Sequence, residues 1–463
     1  MAKKLIKDLS GNYYCDPKTH QPIVVDVGND SDAIINYLGR QYSGKAIDTY
    51  GDVAGVPAFA FTGQNITEAS FPNASIVGQN YVVTYAGMNK TISGPAFADC
   101  TQLSKISFPE CEKFEFSHNF YNCIELESAI FPNFESDTIQ AYTFYNCIKL
   151  SAAEFPTATV VSAYAFYNCS NLKTFSTQAG LSLIGSFAFS GCVSLESVKF
   201  ASSDITLSSY AFCSCGLKGI SIVCDNVYSM WTHCFAYCSQ LNTVYIKAHS
   251  SISINGGNVF YNCTSLKEIT LLQDSGVLVN AGGSTFAYCT SLESVNLFAP
   301  DGIELKSNGM FYNCTNLKWG NLSNANITLL SGATIFGNCT NLSYVYAPVI
   351  SYISGTVFLG CTNLSYIYAP VVSYISASKV FANCENLASI YIMQKSGLTE
   401  ANVPELGHSA IFSGIRYVGT STPDGHPWIY VGYPEYVPWL QNATNWAIYS
   451  SWIVASQFVP QTE

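Results

Sequence analysis

Thirteen times between Phe97 and Cys384 the chain repeats Phe-x-x-Cys, and in twelve of these a Leu follows three residues after the Cys. The cysteines are Cys100, Cys123, Cys147, Cys169, Cys192, Cys215, Cys238, Cys263, Cys289, Cys314, Cys339, Cys361 and Cys384, a period of 22 to 26 residues. Only the sixth repeat slips, with Leu217 two residues after Cys215. A period of this length means one supersecondary unit per repeat, unable to bury its apolar face alone and stacked on its neighbours. The expected fold is a repeat solenoid, mainly β.

The residues within a coil give its anatomy. Leu-x-x-Ile-x-Ile after the turn alternates inward aliphatics with outward positions, which predicts short strands such as Leu195 to Phe200 and Leu266 to Leu271. Pro109, Pro132, Pro156, Pro348 and Pro370 should end such strands, because proline cannot donate to a continuing ladder. A second apolar segment and the Ala-Phe-x-x-Cys turn complete the coil, so successive strands become parallel neighbours. In five coils Tyr-Asn precedes the Cys, at Tyr121-Asn122, Tyr145-Asn146, Tyr167-Asn168, Tyr261-Asn262 and Tyr312-Asn313. Asn tolerates the left-handed backbone of a tight turn, so a stacked Asn column is expected. Asn168, Asn262, Asn313 and Asn338 also match Asn-x-Ser/Thr, a pattern that the repeat itself imposes.

The repeat frames three regions. Residues 1–56 do not fit it and read as an N-terminal extension or adaptor, with an extended candidate at Ile23 to Val27 and a helix-like stretch at Asp32 to Leu38. Residues 57–395 hold about 14 coils, the first degenerate: Phe61, Ile66, Ala69, Phe71 and Pro72 reproduce Phe144, Leu150, Ala153, Phe155 and Pro156 without the Cys. Residues 396–463 read as a cap, in which a helix from about Val437 would cover the last coil with Trp439, Trp446, Tyr449 and Ile453.

Chemistry is sparse. Free Cys behaves as a small buried hydrophobe, and thirteen at one equivalent position form a packing column more simply than a set of bridges. The others, Cys15, Cys111, Cys213, Cys224 and Cys234, contain no Cys-x-x-Cys pair, so neither metal nor a disulfide framework is expected. Six histidines (His20, His118, His233, His249, His408, His426) lie in no recognisable nucleophile motif. Gly256-Gly257 and Gly282-Gly283 lack the lysine of a phosphate loop and read as turns. No enzyme activity and no cofactor are expected.

Charge narrows the partners. Charged residues are 11% of the chain against about 25% ordinarily, so Ser, Thr, Asn and Tyr must build the surface. A net charge of -11 with only two arginines, Arg40 and Arg416, leaves no basic stripe for phosphates, and nucleic acid is excluded. The opening Met-Ala-Lys-Lys-Leu-Ile-Lys-Asp breaks before an apolar signal core can form, and Trp446 to Val459 is too short for a membrane span. The expected setting is a virion or the cytoplasm rather than a cell surface, without membrane insertion.

Ala-Phe-Tyr-Asn-Cys-Ser-Asn-Leu-Lys-Thr-Phe at residues 165–175, with Ser-Phe-Ala-Phe-Ser-Gly-Cys-Val-Ser-Leu-Glu-Ser-Val-Lys-Phe at 186–200, closely resembles the BspA-like (Treponema-type) leucine-rich repeat. The resemblance spans about residues 57 to 395. It implies a right-handed leucine-rich-repeat-like stack with a parallel sheet on one face. It also implies kinship with bacterial surface proteins that adhere to host proteins or cells, and with proteins of some microbial eukaryotes and phages. In the tail, Ile429-Tyr430-Val431 and Ala443-Thr444-Asn445-Trp446 resemble the strand and helix that close such arrays in gut-bacterial proteins.

The candidate site is aromatic. Tyr344, Tyr346, Tyr366, Tyr368 and Tyr391, with Tyr245 earlier at the same repeat position, should face outward from the sheet, and Tyr352 and Tyr374 repeat on the second segment. Tyrosine offers rigid contact area with a polar tip, which suits recognition, while cross-coil stacking alone would also stabilise a sheet. Three readings stay open. The first is a non-enzymatic adhesion or recognition protein that presents its solenoid to a protein or glycan of a host cell, as in a phage tail or head fibre. The second is an assembly protein of a particle, docked to virion proteins through residues 1–56, with the solenoid as spacer or oligomer interface. The third is an intracellular interaction scaffold.

Overall fold

The structure is a computed structural model. It describes residues 3–5, 24–26, 43–47, 55–58 and 60–393, the last without 80, 86–87, 277, 281, 302, 306–307, 322–328, 331–332 and 376–378, then 404–406, 427–443, 446 and 452–455. The helix-like stretch Asp32 to Leu38 and the cap residue Tyr449 lie outside the described residues. The chain forms two compact units, Met1–Leu217 and Lys218–Glu463. Each is built from parallel β coils.

In the first unit, strands Lys105–Ser107, Ser128–Ile130, Ala152–Glu154 and Thr174–Ser176 occupy the strand position three residues after the Leu, with Ile106, Ala129, Ala153 and Phe175 there, and the last three pair in parallel with no register shift. The strands before Pro109, Pro132 and Pro156 end two residues ahead of each proline, as the missing N–H requires. The second segments Thr138–Ile139, Val160–Val161, Leu183–Ile184 and Ile205–Leu207 form another parallel ladder. Parallel pairing reaches upstream to Ser43–Ile47 and Gly55–Pro57, which lie against Asn65–Ser70 and Ile76–Gln79. The extended candidate at Ile23 to Val27 is observed as the strand Val24–Asp26. Two features depart from expectation. A hairpin, Tyr81–Tyr85 with Met88–Ile92, pairs antiparallel between two coils. Leu195 to Phe200 does not form a ladder strand: Leu181 N–H donates to Lys199 O and Ala201 N–H to Leu181 O, so this stretch closes against a turn through a single bridge.

What holds a coil on its neighbours is the Phe-x-x-Cys turn. In twelve of the thirteen turns the Cys N–H donates to the carbonyl of the Phe three residues earlier, and the residue before the Cys takes a left-handed φ, as at Asn122 (57°), Asn146 (59°) and Asn168 (58°). The Phe rings stack from Phe61 through Phe97, Phe120, Phe144, Phe166, Phe189 and Phe212 with centroids 5.1–5.3 Å apart, all buried. A second column, Phe71, Phe108, Phe131, Phe155 and Phe175, fills the other side of the core.

The second unit repeats this plan with its own Phe column, from Phe235 through Phe260, Phe286, Phe311, Phe336, Phe358 and Phe381. The long strands Gly219–Met230 and Thr243–Ile254 pair in parallel, followed by Glu268–Gln273 and Ser294–Phe298. Gly256 and Gly282 are turn glycines, as expected, and they are tight: a Cβ on Gly282 would sit 1.8 Å from Gly256 O. A six-stranded parallel sheet then runs through Trp319–Asn321, Tyr344–Tyr346, Tyr366–Tyr368, Ser389–Ile392, Trp428–Val431 and Ile453–Ala455. The cap helix spans Tyr436–Asn442, only seven residues. Trp446 and Ile453 therefore lie beyond it, correcting the single-helix expectation. Trp446 is buried with its indole N–H donating to Pro404 O, and Ile453 joins the sheet as a strand.

Candidate recognition surface

On the four central strands of the six-stranded sheet, buried aliphatics alternate with residues that point out. Val345, Ile367, Ile390 and Ile429 are buried, and the tyrosines beside them are half-buried. Unshifted parallel register then aligns the outward positions into two rows. One holds Tyr344, Tyr366, Ser389 and Trp428; the other holds Tyr346, Tyr368, Tyr391 and Tyr430. Tyr344 stacks on Tyr366 at 5.2 Å and 4°, Tyr346 on Tyr368 at 4.9 Å and 5°, and Tyr391 on Tyr430 at 4.8 Å and 18°. Tyr366 meets Tyr391 edge-on across the rows at 6.5 Å.

The stacking fixes what these residues can offer. Within each stacked pair the rings cover one face of each other, so edges and phenolic oxygens make up much of what the pair presents. Burial, reinforced by the neighbouring Tyr346, raises the Tyr368 phenol above its usual range. Burial and Tyr391 raise that of Tyr430, against a hydrogen bond from Ser389. Both stay protonated at neutral pH and can donate as well as accept.

The sequence places five of these tyrosines correctly on outward sheet positions and brings them together. Tyr245 is different. It is exposed and occupies the same repeat position, but Thr270 and Asn296 hold the matching register on the next two strands. Four coils, roughly 19 Å at ordinary strand spacing, separate it from Tyr346. It is not part of the rows. Tyr352 and Tyr374 stack at 5.1 Å in the separate second-segment sheet. Trp428 and Tyr430, absent from the sequence reading as site residues, extend the rows. The signal that could have found them is the outward alternation of Trp428-Ile429-Tyr430-Val431, which copies Ser389-Ile390-Tyr391-Ile392.

A second aromatic array, in the first unit, was not singled out by the sequence reading beyond its Tyr-Asn pairs. His118, Tyr142, Tyr164, Phe187 and Tyr210 stack at 4.5–4.9 Å, and Tyr121, Tyr145 and Tyr167 form a parallel column at 4.9–5.0 Å. The expected Asn column lies beside them: Asn168 Nδ2 donates to Asn146 Oδ1 and Asn146 Nδ2 to Asn122 Oδ1, both at 2.7 Å.

The cysteines behave as packing residues with one added task. In twelve of the thirteen column cysteines Sγ–H donates to the Phe carbonyl of the preceding coil, as in Cys147 to Phe120 O at 3.1 Å and Cys339 to Phe311 O at 3.1 Å. Burial pushes the Cys339 thiol up to about 12, far from the thiolate that nucleophilic or metal chemistry needs. Among the described residues no disulfide joins any cysteine, and no group of three His, Cys, Asp or Glu could hold a metal ion. No helix among them is long and apolar enough to cross a membrane.

The family described as BspA type Leucine rich repeat region (6 copies) matches residues 56–176, 159–278, 245–365 and 280–403. No curated protein matches the chain. Among solved structures, a leucine-rich repeat protein from Bacteroides ovatus is 20% identical with a TM-score of 0.44, covering 82% of this chain and 97% of that one. A leucine rich cell surface protein from Faecalibacterium prausnitzii is 20% identical with a TM-score of 0.35, covering 71% and 90%. A Treponema pallidum leucine rich repeat protein is 19% identical with a TM-score of 0.21, covering 56% and 81%. The family match covers about three quarters of the sequence, from the degenerate first coil to the last Phe-x-x-Cys coil and beyond. The chain belongs to the BspA type leucine rich repeat family.

Proposed function

We propose that the chain is a non-enzymatic recognition protein that binds a protein on a host surface through the two outward rows of the six-stranded sheet. Membership of the BspA type leucine rich repeat family supports a protein-binding or adhesion-type role. The observation that carries the proposal is the double row itself, seven aromatic side chains held in register by backbone pairing. A row built only to stabilise the sheet needs no such concentration at one end of an array in which Tyr245 and Phe298, exposed strand aromatics of other coils, stand singly. Tyr and Trp are also the residues that dominate the energetics of protein interfaces.

The orientation of the rings favours protein over glycan. A sugar packs on an aromatic face, and one face of each ring in the three stacked pairs is covered by its partner. Edges and hydroxyls at strand spacing suit backbone carbonyls, amides and apolar side chains instead. The test is binding of the purified chain to host cells and to their extracted surface proteins. Replacing Tyr346, Tyr368 and Tyr391 together by Ala is expected to abolish binding while the far-ultraviolet circular dichroism is retained. Unchanged binding by that variant would remove the rows from consideration, and binding that survives protease treatment of the cells but not glycosidase treatment would replace the protein partner with a glycan.

A further inference from the structure

The aromatic columns of residues 1–217 form a surface of a different kind from the tyrosine rows. They stand on the Phe-x-x-Cys turns, where His118, Tyr142, Tyr164, Phe187 and Tyr210 all adopt a left-handed φ of 57–64°. Each ring is half-buried, and the two columns interlock, with Tyr142 to Tyr145 at 5.8 Å and Tyr164 to Tyr167 at 5.6 Å. The Asn122, Asn146 and Asn168 amides run alongside as a hydrogen-bonded chain that ends on Asp99 Oδ1. The segments that carry these residues, 117–122, 140–146, 162–168, 186–191 and 208–214, contain no Asp, Glu, Lys or Arg. His118 does not supply a charge either, since burial lowers its affinity for a proton.

We propose that this corner is a contact between two copies of the chain, packed side by side with their coils in step. Three observations favour a second copy as the occupant. The first is pitch. The columns repeat every 4.5–5.0 Å, one over four successive steps and the other over two. A surface that meets every ring in the same way must repeat at that spacing, and another copy of the solenoid does so in either direction along its axis. The second is charge. Two chains of net charge -11 repel one another, so a stable contact between them must fall where no charge accumulates, and this corner, whose one carboxylate is Asp99 at its end, meets that condition. The third is self-complementarity. A two-fold contact sets the same groups against each other, and phenols and carboxamides each donate and accept, whereas a charged patch would face its own sign.

The experiment is sedimentation velocity, with light scattering, on the full chain over a series of concentrations. The unsubstituted protein is expected to pass from monomer to dimer as concentration rises. Tyr145→Lys places like charges across the two-fold contact and should raise the dimer dissociation constant at least about tenfold. Asn168→Asp serves as the variant that keeps the fold: Asn168 is exposed, and Asp accepts the same left-handed turn while adding a negative charge on both sides. It should weaken the dimer in the same direction without lowering the unfolding midpoint by more than the loss of one exposed hydrogen bond. Tyr228→Lys, at an exposed aromatic of residues 218–463, should leave the dimer intact. The proposal is overturned by a chain that stays monomeric across the series, by a dimer that is indifferent to Asn168→Asp, or by one that Tyr228→Lys disrupts equally. It does not rest on the tyrosine rows, whose triple Ala variant should dimerise normally.

Discussion

The cysteine of each coil is small enough for the tight turn and still donates a hydrogen bond, and few residues combine the two. Cys147 meets both demands, with its Sγ 3.1 Å from Phe120 O and no exposure. Cys147→Ala removes the donor and leaves a small void, so it should lower stability by about 1–3 kcal/mol in urea unfolding, with little change in the slope of the transition. A bulky thiol reagent should find none of the column cysteines in the native protein and all of them after unfolding. Asn146 gives a companion test. Its backbone is left-handed and its carboxamide both donates to Asn122 and accepts from Asn168, so Asn146→Ala loses two hydrogen bonds and strains the turn. Asn146→Gly loses the bonds without the strain and should unfold later than Asn146→Ala. The burial of these residues was legible in the sequence because thirteen equivalent positions leave little room for redox or metal chemistry. The sulfur-to-carbonyl bond was not, because it joins different coils and depends on the turn that presents the carbonyl.

At the scale of the strand, alternation did most of the work. It placed Tyr344, Tyr346, Tyr366, Tyr368 and Tyr391 on one face because the buried Val345, Ile367 and Ile390 fix which side is inward. Spacing by itself misled at both ends. Tyr245 shares the repeat position, but its sheet neighbours are Ser221 and Thr270 rather than tyrosines. Tyr430 follows Tyr391 by more residues than any coil contains, yet the strand Trp428–Val431 pairs directly with Ser389–Ile392. The chain between those strands breaks the period without breaking the sheet. The same logic explains the failure at Leu195 to Phe200, where the side-chain pattern of a strand was present but the backbone partners belonged to the Leu181 turn. For the rows, Tyr368 separates packing from recognition. Tyr368→Ala uncovers a face of Tyr346 and should cost about 1–2 kcal/mol of stability, combining lost burial with lost stacking. Tyr368→Phe keeps the stack and should leave the unfolding midpoint nearly unchanged. If the hydroxyls contact the partner as proposed, Tyr368→Phe weakens binding severalfold while stability stays level; if the rows are only structural, neither quantity moves.

For the molecule as a whole, the repeated turn turns one buried thiol into a column, and that makes the protein sensitive to alkali. The thiols of Cys100, Cys111, Cys339 and Cys384 rise from 9.0 to about 12, and burial is the leading cause in each. Several of the fully buried column thiols, Cys147 and Cys169 among them, move in the same direction. A raised folded-state pKa means that the folded chain holds protons more tightly than the unfolded chain does. Below pH 9 both forms are protonated and the full contribution to stability is present; above it the unfolded chain sheds protons that the folded chain retains, and stability falls until the folded thiols themselves ionise near pH 12. The raised phenols of Tyr145, Tyr164, Tyr261, Tyr368 and Tyr430 add a loss of the same sign starting from their ordinary value of 10.0. The urea midpoint should therefore be nearly flat from pH 7 to about pH 8, begin to fall as pH approaches 9, and decline steadily above it. Because many coils contribute, removing one thiol, as in Cys339→Ala, should shift the whole curve down and slightly reduce its alkaline slope rather than abolish it. A midpoint that stays flat from pH 9 to pH 11 would mean that the column is open to solvent, against the burial on which the fold depends.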